Sequence, residues 1–400
     1  MEKTLLNRAE ELLEELLEYR RYLHENAETG FDLKKTKAYV KARLSEMGYV
    51  PQECGKAGVI ALAGKGKAGT LLLRADMDAL PIKEETGAKF ACKTGNMHAC
   101  GHDLHTTMLL GAAKLIKERE SELTGRIKLL FQPAEETLEG AKDVIEAGVL
   151  KNPDVNGAIM AHVTTGGDLP TGRIVVCSEG VSAPAAEYFT VAVKGKGCHG
   201  AAPQEGVDAL TIGARILLGF EEILARELAI SQRATLTIGQ FQGGNAGNAI
   251  ADTAVLKGTL RAYDEDARKK MKMRMKEIAA RIAAAFQGKA TVRFESGCPT
   301  LKNDGGMSAF TADCAKKLLG KDRAFTAAEL DSRSAARGGG SEDFSYFSHE
   351  IPSVMFAISA GERKKGFVYP LHHPKATFDE SVLPIGVALF AYLAMCWRKK

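Results

Sequence analysis

The chain has 400 residues, more than one hydrophobic core usually supports, so we expect about two domains. Apolar residues make up 45% of the sequence and charged residues 26%, which is typical of an ordinary globular protein. The net charge is only +4, and acidic and basic residues are mixed along the chain. This balance argues against a dedicated nucleic-acid or membrane-surface binder.

The amino-terminal segment 1–25 is amphipathic and acidic, and it lacks the apolar core and cleavage site of a secretory signal peptide. The longest apolar runs fall short of the roughly 20 residues that span a bilayer. Eight cysteines at irregular spacings do not indicate a disulfide framework in a chain of this length. We therefore expect a cytoplasmic protein in a reducing compartment, without a membrane partner.

The first part of the chain alternates helical periodicity with short, largely uncharged apolar runs. Such runs, followed by loop or helix signals, predict strands that are covered on both faces. Their alternation with helices predicts an α/β layered domain. The predicted helices cover 34–47, 106–118 and 140–147, and the predicted strands cover 58–62, 70–75 and 126–131.

The pattern changes after about residue 182, where four strands and two long helices follow in the order βαββαβ. This order is typical of a ferredoxin-like unit. Its strands are predicted over 187–195, 234–239, 254–261 and 290–295, and its helices over 208–228 and 265–286. After residue 297 the chain returns to alternating strands and helices. We therefore predict an α/β catalytic domain formed by 1–182 and 297–400, with a smaller α+β domain, 183–296, inserted into it.

Most of the nine histidines lie in a few clusters, and Cys100-Gly101-His102 is the first candidate site. A thiolate and an imidazole on a tight turn suit zinc, manganese, cobalt or nickel. Asp103 follows and could orient a ligand or cap a helix. The motif alone is weak, because a buried cysteine beside a core histidine is common. His24 and His349 lie in polar helical segments, and we expect them to be exposed and structural.

Further candidate residues occur where predicted strands end. Because strand ends in an α/β sheet can converge on one crevice, we expect these side chains to share a site. Two adjacent carboxylates there could divide the work, one binding metal and the other moving protons. Two aspartates could support metal ligands or merely cap a turn. The residues are the pair Glu135 and Glu136, the histidines His162 and His372, and the aspartates Asp76 and Asp78.

Cys100 and His102 also admit a second chemistry, in which the cysteine is the nucleophile of a hydrolase. Thiolate catalysis requires a nearby base and an orienting carboxylate or amide. It leaves the additional histidines and the pair Glu135–Glu136 without a purpose. Metal binding accounts for more of the observations and is the favoured interpretation.

Four segments, in the same order along nearly the whole chain, resemble the signature segments of the M20 peptidase family. The resemblance is closest to its amidohydrolase branch, which includes hippurate hydrolases, aminoacylases and auxin-conjugate hydrolases. The segments are 74–81 (RADMDALP), 97–106 (MHACGHDLHT), 131–136 (FQPAEE) and 371–374 (LHHP).

The resemblance implies a two-metal catalytic domain with an inserted ferredoxin-like lid domain that forms a homodimer. By position, it implies that Glu135 is the general base and that Cys100 bridges the two divalent ions. The implied metal ligands are Cys100, His102, Glu136, His162 and His372.

In the lid, the segment 195–203 resembles one whose histidine, here His199, reaches a neighbouring active site to stabilise the oxyanion. Asn248 and Arg261 match residues that hold the carboxylate of the substrate. Without the resemblance, these would be a surface loop residue, a turn residue and a solvated charge on a strand.

Three positions depart from the family's usual residues: Cys198, Ala251 and His373. None is an implied ligand, so the departures concern substrate specificity. Because His373 adjoins His372, the identity of the fifth ligand is less firmly implied than the others.

The sequence thus predicts hydrolysis of the amide bond of N-acyl amino acids, with water activated by two divalent ions and Glu135 as the base. A dipeptidase or carboxypeptidase with the same ions is the alternative enzyme. A non-catalytic metal-binding or ligand-binding protein is the alternative from another class. The sequence leaves the acyl group, the amino acid and the native metal open.

Overall fold

A computed structural model of the chain describes residues 1–330 and 340–398. The helices are α1 (Glu2–Glu11), α2 (Leu13–Glu25), α3 (Lys34–Glu46), α4 (His102–Glu118), α5 (Gly140–Glu146), α6 (Ala209–Glu222), α7 (Glu265–Ala285), α8 (Gly305–Leu319), α9 (Ser345–Glu350) and α10 (Leu383–Cys396). None of the helices in these two ranges combines the length and the apolar character that crossing a membrane requires. All eight cysteines are free thiols.

The strands alternate with these helices along the whole described chain. They are β1 (Gln52–Cys54), β2 (Gly58–Ala63), β3 (Thr70–Asp76), β4 (Arg126–Gln132), β5 (Gly157–Thr164), β6 (Ile174–Val176), β7 (Gly180–Ala183), β8 (Ala185–Lys194), β9 (Cys198–His199), β10 (Ala234–Gly243), β11 (Ala249–Ile250), β12 (Thr253–Ala262), β13 (Lys289–Cys298), β14 (Leu301–Asn303), β15 (Ala324–Thr326) and β16 (Ser353–Ser359).

The described residues form two compact units. The first consists of 1–182, 302–330 and 343–398, and the second of 183–301 and 340–342. That the first unit is the catalytic domain and the second a lid domain remains a prediction.

An eight-stranded mixed sheet forms the centre of the first unit, with the strand order β1-β2-β4-β3-β5-β16-β6-β15. The four central strands, β4, β3, β5 and β16, run parallel to one another. All seven residues of β3 are buried, and so are six of the seven in β4. The apolar runs at these positions are therefore strands covered on both faces, as the sequence predicted.

Helix α4 is buried along almost its whole length and packs against α10. Gly111 permits this close approach, because a Cβ atom there would lie 2.5 Å from Val387 and 2.6 Å from Leu16. The sequence-based prediction that this helix begins at residue 106 was wrong. It begins four residues earlier, at His102, because its first turn is polar and lacks the apolar periodicity on which the prediction relied.

The second unit has the order βαββαβ, formed by β8, α6, β10, β12, α7 and β13. Its antiparallel sheet has the strand order β10-β12-β8-β13, which is the ferredoxin-like topology that the sequence predicted. The two helices bury apolar stripes in the core of the unit. These stripes include Ile212, Ile216 and Phe220 on α6, and Ala267, Met271, Met275, Ala279 and Ala283 on α7.

The parallel strands of the first unit determine where its polar side chains meet. Asp76 is the last residue of β3, Gln132 is the last of β4, and His162 lies near the end of β5. Because parallel strands have their carboxyl ends at the same sheet edge, the loops that follow converge there. The candidate site lies at this edge.

Candidate metal centre

The turn before α4 depends on a glycine between the two first candidate ligands. Gly101 has φ +85°, in the left-handed region. A Cβ atom at this position would also lie 2.4 Å from the Val163 side chain. The sequence Cys100-Gly101-His102 therefore tolerates no larger residue at its centre. The turn places both flanking side chains at the beginning of a buried helix.

The structure brings all five implied ligands together. The sulfur of Cys100 lies 3.5 Å from His162 Nε2 and 3.3 Å from His372 Nε2. The Oε1 atom of Glu136 lies 3.6 Å from His372 Nε2 and 3.8 Å from His102 Nε2. Two groups of three potential ligands share the Cys100 sulfur. They are Cys100, His102, His162 and Cys100, Glu136, His372, with the ligand atoms of each group within 4.8 Å of one another.

Hydrogen bonds fix the tautomers of two of these histidines. His102 Nδ1 donates to the carbonyl of Asp78 at 2.8 Å, and His162 Nδ1 donates to the carbonyl of Val163 at 2.7 Å. A carbonyl oxygen only accepts, so Nδ1 carries the proton in each ring. In the neutral ring, Nε2 then presents its lone pair, which is the arrangement a metal-binding histidine requires.

Two buried atoms at the centre have unmet bonding capacity. Within residues 1–330 and 340–398, His102 Nε2 and Glu136 Oε1 have no hydrogen-bond partner. Leaving a buried polar atom without a partner costs about 1–3 kcal/mol, so such atoms call for an explanation. A divalent cation between them would satisfy both. The donor set of thiolate, imidazole and carboxylate fits a borderline transition metal.

The electrostatics of the centre also favour a cation. Burial raises the pKa of Glu136 to about 7. The charge of His102 opposes this rise, and the negative charges of Asp78 and Asp76 add to it. Burial and the charge of Glu136 raise the pKa of the Cys100 thiol well above its usual range. Burial alone would lower the pKa of His102, but the charges of Asp76 and Cys100 and the hydrogen bond to Asp78 together raise it. The centre thus has an excess of negative charge, which a divalent cation would neutralise.

Burial acts differently on His162. It lowers the pKa of this imidazole to about 3, and the neighbouring His105 acts in the same direction. His162 is therefore neutral at physiological pH, and its unprotonated Nε2 faces the sulfur of Cys100. A neutral imidazole is the form that binds a metal.

Asp78 orders the turn that carries the two glutamates. Its Oδ1 accepts from the backbone N–H of Glu135 at 3.0 Å, and its Oδ2 accepts from that of Glu136 at 3.1 Å. Ala134, in the same turn, has φ +54°, which is uncommon for a residue with a Cβ atom. The carbonyl of Asp78 also holds His102, so this residue both caps the turn and supports a potential ligand.

Glu135 and Glu136 are adjacent but have different surroundings. Glu135 is buried; its Oε2 lies 4.0 Å from His102 Nε2, and its Oε1 lies 3.4 Å from the backbone nitrogen of Asp343. Glu136 lies against His372 instead. The pair can therefore perform two tasks at one centre.

His372 is the most exposed of the five implied ligands, with 51% of its side chain accessible. Its φ is +64°, and its backbone N–H donates to the carbonyl of Ala99 at 3.0 Å. The adjacent His373 stacks on Tyr369, with the ring centroids 4.4 Å apart. Of the two neighbouring histidines, only His372 is part of the ligand groups in the described chain.

The expectation that His24 is exposed was wrong. Its ring is buried; Nδ1 lies 2.8 Å from Asp103 Oδ2, and Nε2 lies 3.1 Å from Glu84 Oε2. Burial alone would lower the pKa of His24, but these two carboxylates raise it to about 9. Arg20 Nε also donates to Asp103, at 2.9 Å. The cluster stabilises Asp103 at the start of α4, which explains why this acidic residue tolerates complete burial.

His105 and Arg74 also belong to the site, although we predicted no role for them from the sequence. His105 Nδ1 lies 2.6 Å from Asp76 Oδ1. Arg74 donates to Asp76 at 2.7 Å and to Asp343 at 2.8 Å. The spacing His102-x-x-His105, which places both rings on one face of a helix, is the only signal that could have identified His105.

The remaining candidate residues lie in the second unit. His199 is exposed in β9 and pairs with Ala249, and the backbone N–H of Gly200 donates to the carbonyl of Asn248 at 2.8 Å. The structure thus brings His199 and Asn248 together within this unit. Arg261 lies on β12, over the ring of Tyr188 at 5.4 Å. The roles of these three residues remain predictions.

Comparison with known proteins relates the chain to a hydrolase family. The sequence profile of peptidase family M20/M25/M40 matches residues 72–395. An N-acetyl-L-cysteine deacetylase of Bacillus subtilis (strain 168) is 37% identical over 390 residues, which cover 95% of this chain and 87% of that protein. The IAA-amino acid hydrolase ILR1-like 4 of Arabidopsis thaliana is 35% identical over 381 residues, which cover 94% of this chain and 84% of that protein.

A solved structure of a protein from the same family is also similar to this chain. The Bacillus subtilis YXEP protein, described as a dinuclear metal binding peptidase from the M20 family, is 31% identical to this chain. The superposition has a TM-score of 0.76 and covers 96% of this chain and 98% of that chain.

Proposed function

This chain belongs to peptidase family M20/M25/M40 and is a metal-dependent amidohydrolase, and on that premise we propose that it hydrolyses the amide bond of N-acyl amino acids. The resemblance that the four sequence segments indicated is confirmed, and so is the α/β fold class. One observation carries the proposal: two groups of potential ligands share the sulfur of Cys100, beside the buried carboxylate of Glu135.

We propose that two divalent ions bind at these two groups, with Cys100 as the shared ligand. When bound, such ions act as Lewis acids and lower the pKa of water toward neutrality. His102 and His162 would complete one group, and Glu136 and His372 the other. Zinc, manganese, cobalt and nickel all suit this donor set. The raised pKa of the Cys100 thiol argues against a cysteine nucleophile, which requires a lowered pKa, whereas a bound cation would itself stabilise the thiolate that ligation needs.

Glu135 is the general base in this proposal. Its carboxylate is buried at the edge of the ligand groups, near His102, and the proposal leaves it free of metal. It would take a proton from the attacking water and deliver that proton to the departing amine nitrogen. Asp78 fixes the backbone of Glu135 and so limits where its carboxylate can lie.

We predict that Glu135→Gln lowers kcat for an N-acetyl amino acid by about 10²–10⁴-fold, because the amide cannot accept the proton. Glu135 does not ligate an ion in this proposal, so metal content, measured by elemental analysis, should stay unchanged. In the wild-type protein, chelation should abolish hydrolysis and added Mn²⁺ or Zn²⁺ should restore it. Full activity in the glutamine variant, or wild-type activity that survives chelation, would refute this assignment.

The proposed substrate class rests on the relatives and on the second unit. One relative is named for deacetylation of N-acetyl-L-cysteine and the other for hydrolysis of IAA-amino acid. An amino acid released from an amide carries a carboxylate, and a planar guanidinium suits that group. We therefore propose that Arg261, with Asn248, binds the carboxylate of the substrate.

We predict that the enzyme prefers N-acyl amino acids over the matching N-acyl amino acid amides, which lack the carboxylate. Arg261→Met should lower kcat/KM for the acids by roughly 10–100-fold and leave the amides nearly unaffected. Arg233→Met is the matched control, because it removes another arginine that lies over a tyrosine ring in the same unit. Equal losses on acids and amides would contradict the role. Faster turnover of dipeptides than of N-acyl amino acids would favour the peptidase alternative.

We also propose that the protein is a homodimer and that His199 stabilises the oxyanion in the partner's site. The ring of His199 is exposed, and its Nδ1 accepts from the backbone N–H of Ala201 at 3.0 Å. In the neutral ring Nε2 then carries the proton, so it can donate to a developing oxyanion.

This arrangement predicts complementation between inactive variants. A heterodimer of Glu135→Gln and His199→Ala subunits would contain one complete site. Refolding an equal mixture should therefore restore about a quarter of the wild-type activity. If His199 acts within its own subunit, the mixture stays as inactive as the two parents. Each variant refolded alone is the control.

A further inference from the structure

His105 is a buried histidine that the proposed mechanism does not use. It lies one helical turn after His102 in α4, and only 1% of its surface is accessible. It does not belong to either of the groups that share Cys100. Leaving a buried ring nitrogen without a partner is costly, so the two partners of His105 indicate what it does.

The hydrogen bonds of His105 define one tautomer. The backbone N–H of Val163 donates to Nε2 at 2.8 Å, so Nε2 accepts and carries no proton. Nδ1 must then carry the proton, and it donates to Asp76 Oδ1 at 2.6 Å. Both nitrogens are occupied, and neither has a lone pair free for an ion. The proximity of Asp76, His102 and His105 therefore reflects the hydrogen bond between His105 and Asp76, and not a third ion position.

Each of the two hydrogen-bond partners of His105 lies next to a potential metal ligand. Val163 donates to His105 through its N–H and accepts from His162 Nδ1 through its carbonyl, at 2.7 Å. Asp76 accepts from His105 with Oδ1, and its Oδ2 lies 3.7 Å from His102 Nε2. His105 thus supports His162 through Val163, and it holds Asp76 beside His102, the other histidine of the same group.

The other group is held by hydrogen bonds that do not involve His105, although Asp78 contributes to both groups through its carbonyl to His102 and its carboxylate to Glu136. The backbone of Glu136 is held by Asp78 Oδ2, and the backbone of His372 by the carbonyl of Ala99. His105 contacts neither of them in the hydrogen bonds of the described chain. The two groups share Cys100 and approach each other at His102 Nε2 and Glu136 Oε1, 3.8 Å apart. Because the hydrogen bonds of His105 lead only to the first group, a change at His105 should act mainly on that group.

We propose that His105 is a positioning residue that sets the metal affinity of one of the two ion positions, the one formed by Cys100, His102 and His162. This inference rests on the proposed two-ion function. Groups that orient metal ligands typically change affinity by about 10–100-fold when they are removed. The expected result is therefore selective loss of one ion and not loss of the whole centre.

Two conservative substitutions separate the two hydrogen bonds of His105. In His105→Asn, the amide nitrogen can replace Nδ1 and donate to Asp76, but nothing accepts from Val163. In His105→Gln, the amide oxygen can replace Nε2 and accept from Val163, but the bond to Asp76 is lost. His105→Leu removes both bonds. Thr107→Val is the control in the same buried helix, since the Thr107 hydroxyl has no partner in the described chain.

The experiment is equilibrium dialysis of Mn²⁺ and, separately, Zn²⁺ against metal-depleted protein, with elemental analysis of the bound metal. The wild-type protein and Thr107→Val should bind two equivalents. In His105→Leu one dissociation constant should rise by about 10–100-fold while the other stays within a few-fold. The asparagine and glutamine variants should lie between these extremes. Circular dichroism and thermal unfolding identify any variant that fails to fold, and the two conservative variants then carry the test.

A second variant identifies which ion is lost. His372→Ala should weaken the other equivalent, and combining it with His105→Leu should weaken both. If both dissociation constants rise together in His105→Leu, or neither rises, the positioning role is refuted. Wild-type protein that binds fewer than two equivalents would instead contradict the proposed two-ion function, so the two failures are distinguishable.

Discussion

The sulfur of Cys100 is the point on which the rest of the site depends. It lies within 3.5 Å of two imidazole nitrogens, and each belongs to a different group of potential ligands. Burial and nearby carboxylates oppose ionisation of this thiol, so a thiolate there requires a compensating positive charge. Bound divalent cations would supply that charge. The proposed chemistry, activation of water by divalent ions, would use the same positive charge.

The fold meets this requirement by bringing strand ends together and by tolerating unusual backbone conformations where they do. The central parallel strands deliver Asp76 and His162 to one edge of the sheet. Gly101, Ala134 and His372 all have positive φ, and each lies in a turn that carries a candidate residue. In a residue with a Cβ atom such a conformation persists only where the surrounding structure holds it. Asp78 holds the turn of Ala134 through the backbone of Glu135 and Glu136, and the carbonyl of Ala99 holds His372.

Much of this could be predicted from local patterns. Buried strands such as β3 and the βαββαβ order of the second unit follow from apolar periodicity, and the position of His162 follows from its strand. The surroundings of His24 and of His105 could not be predicted. Their partners lie 79 residues away, at Asp103, and 29 and 58 residues away, at Asp76 and Val163. Only the folded chain shows that such distant groups meet.

The most direct test of the central claim is a crystal structure of the metal-loaded protein, measured at the absorption edge of the bound metal. The account predicts two anomalous peaks on either side of Cys100 Sγ, each at about 2.3 Å if the ions are zinc. One peak should also contact His102 and His162, and the other Glu136 and His372. A single peak, or two peaks that do not share the sulfur, would contradict it.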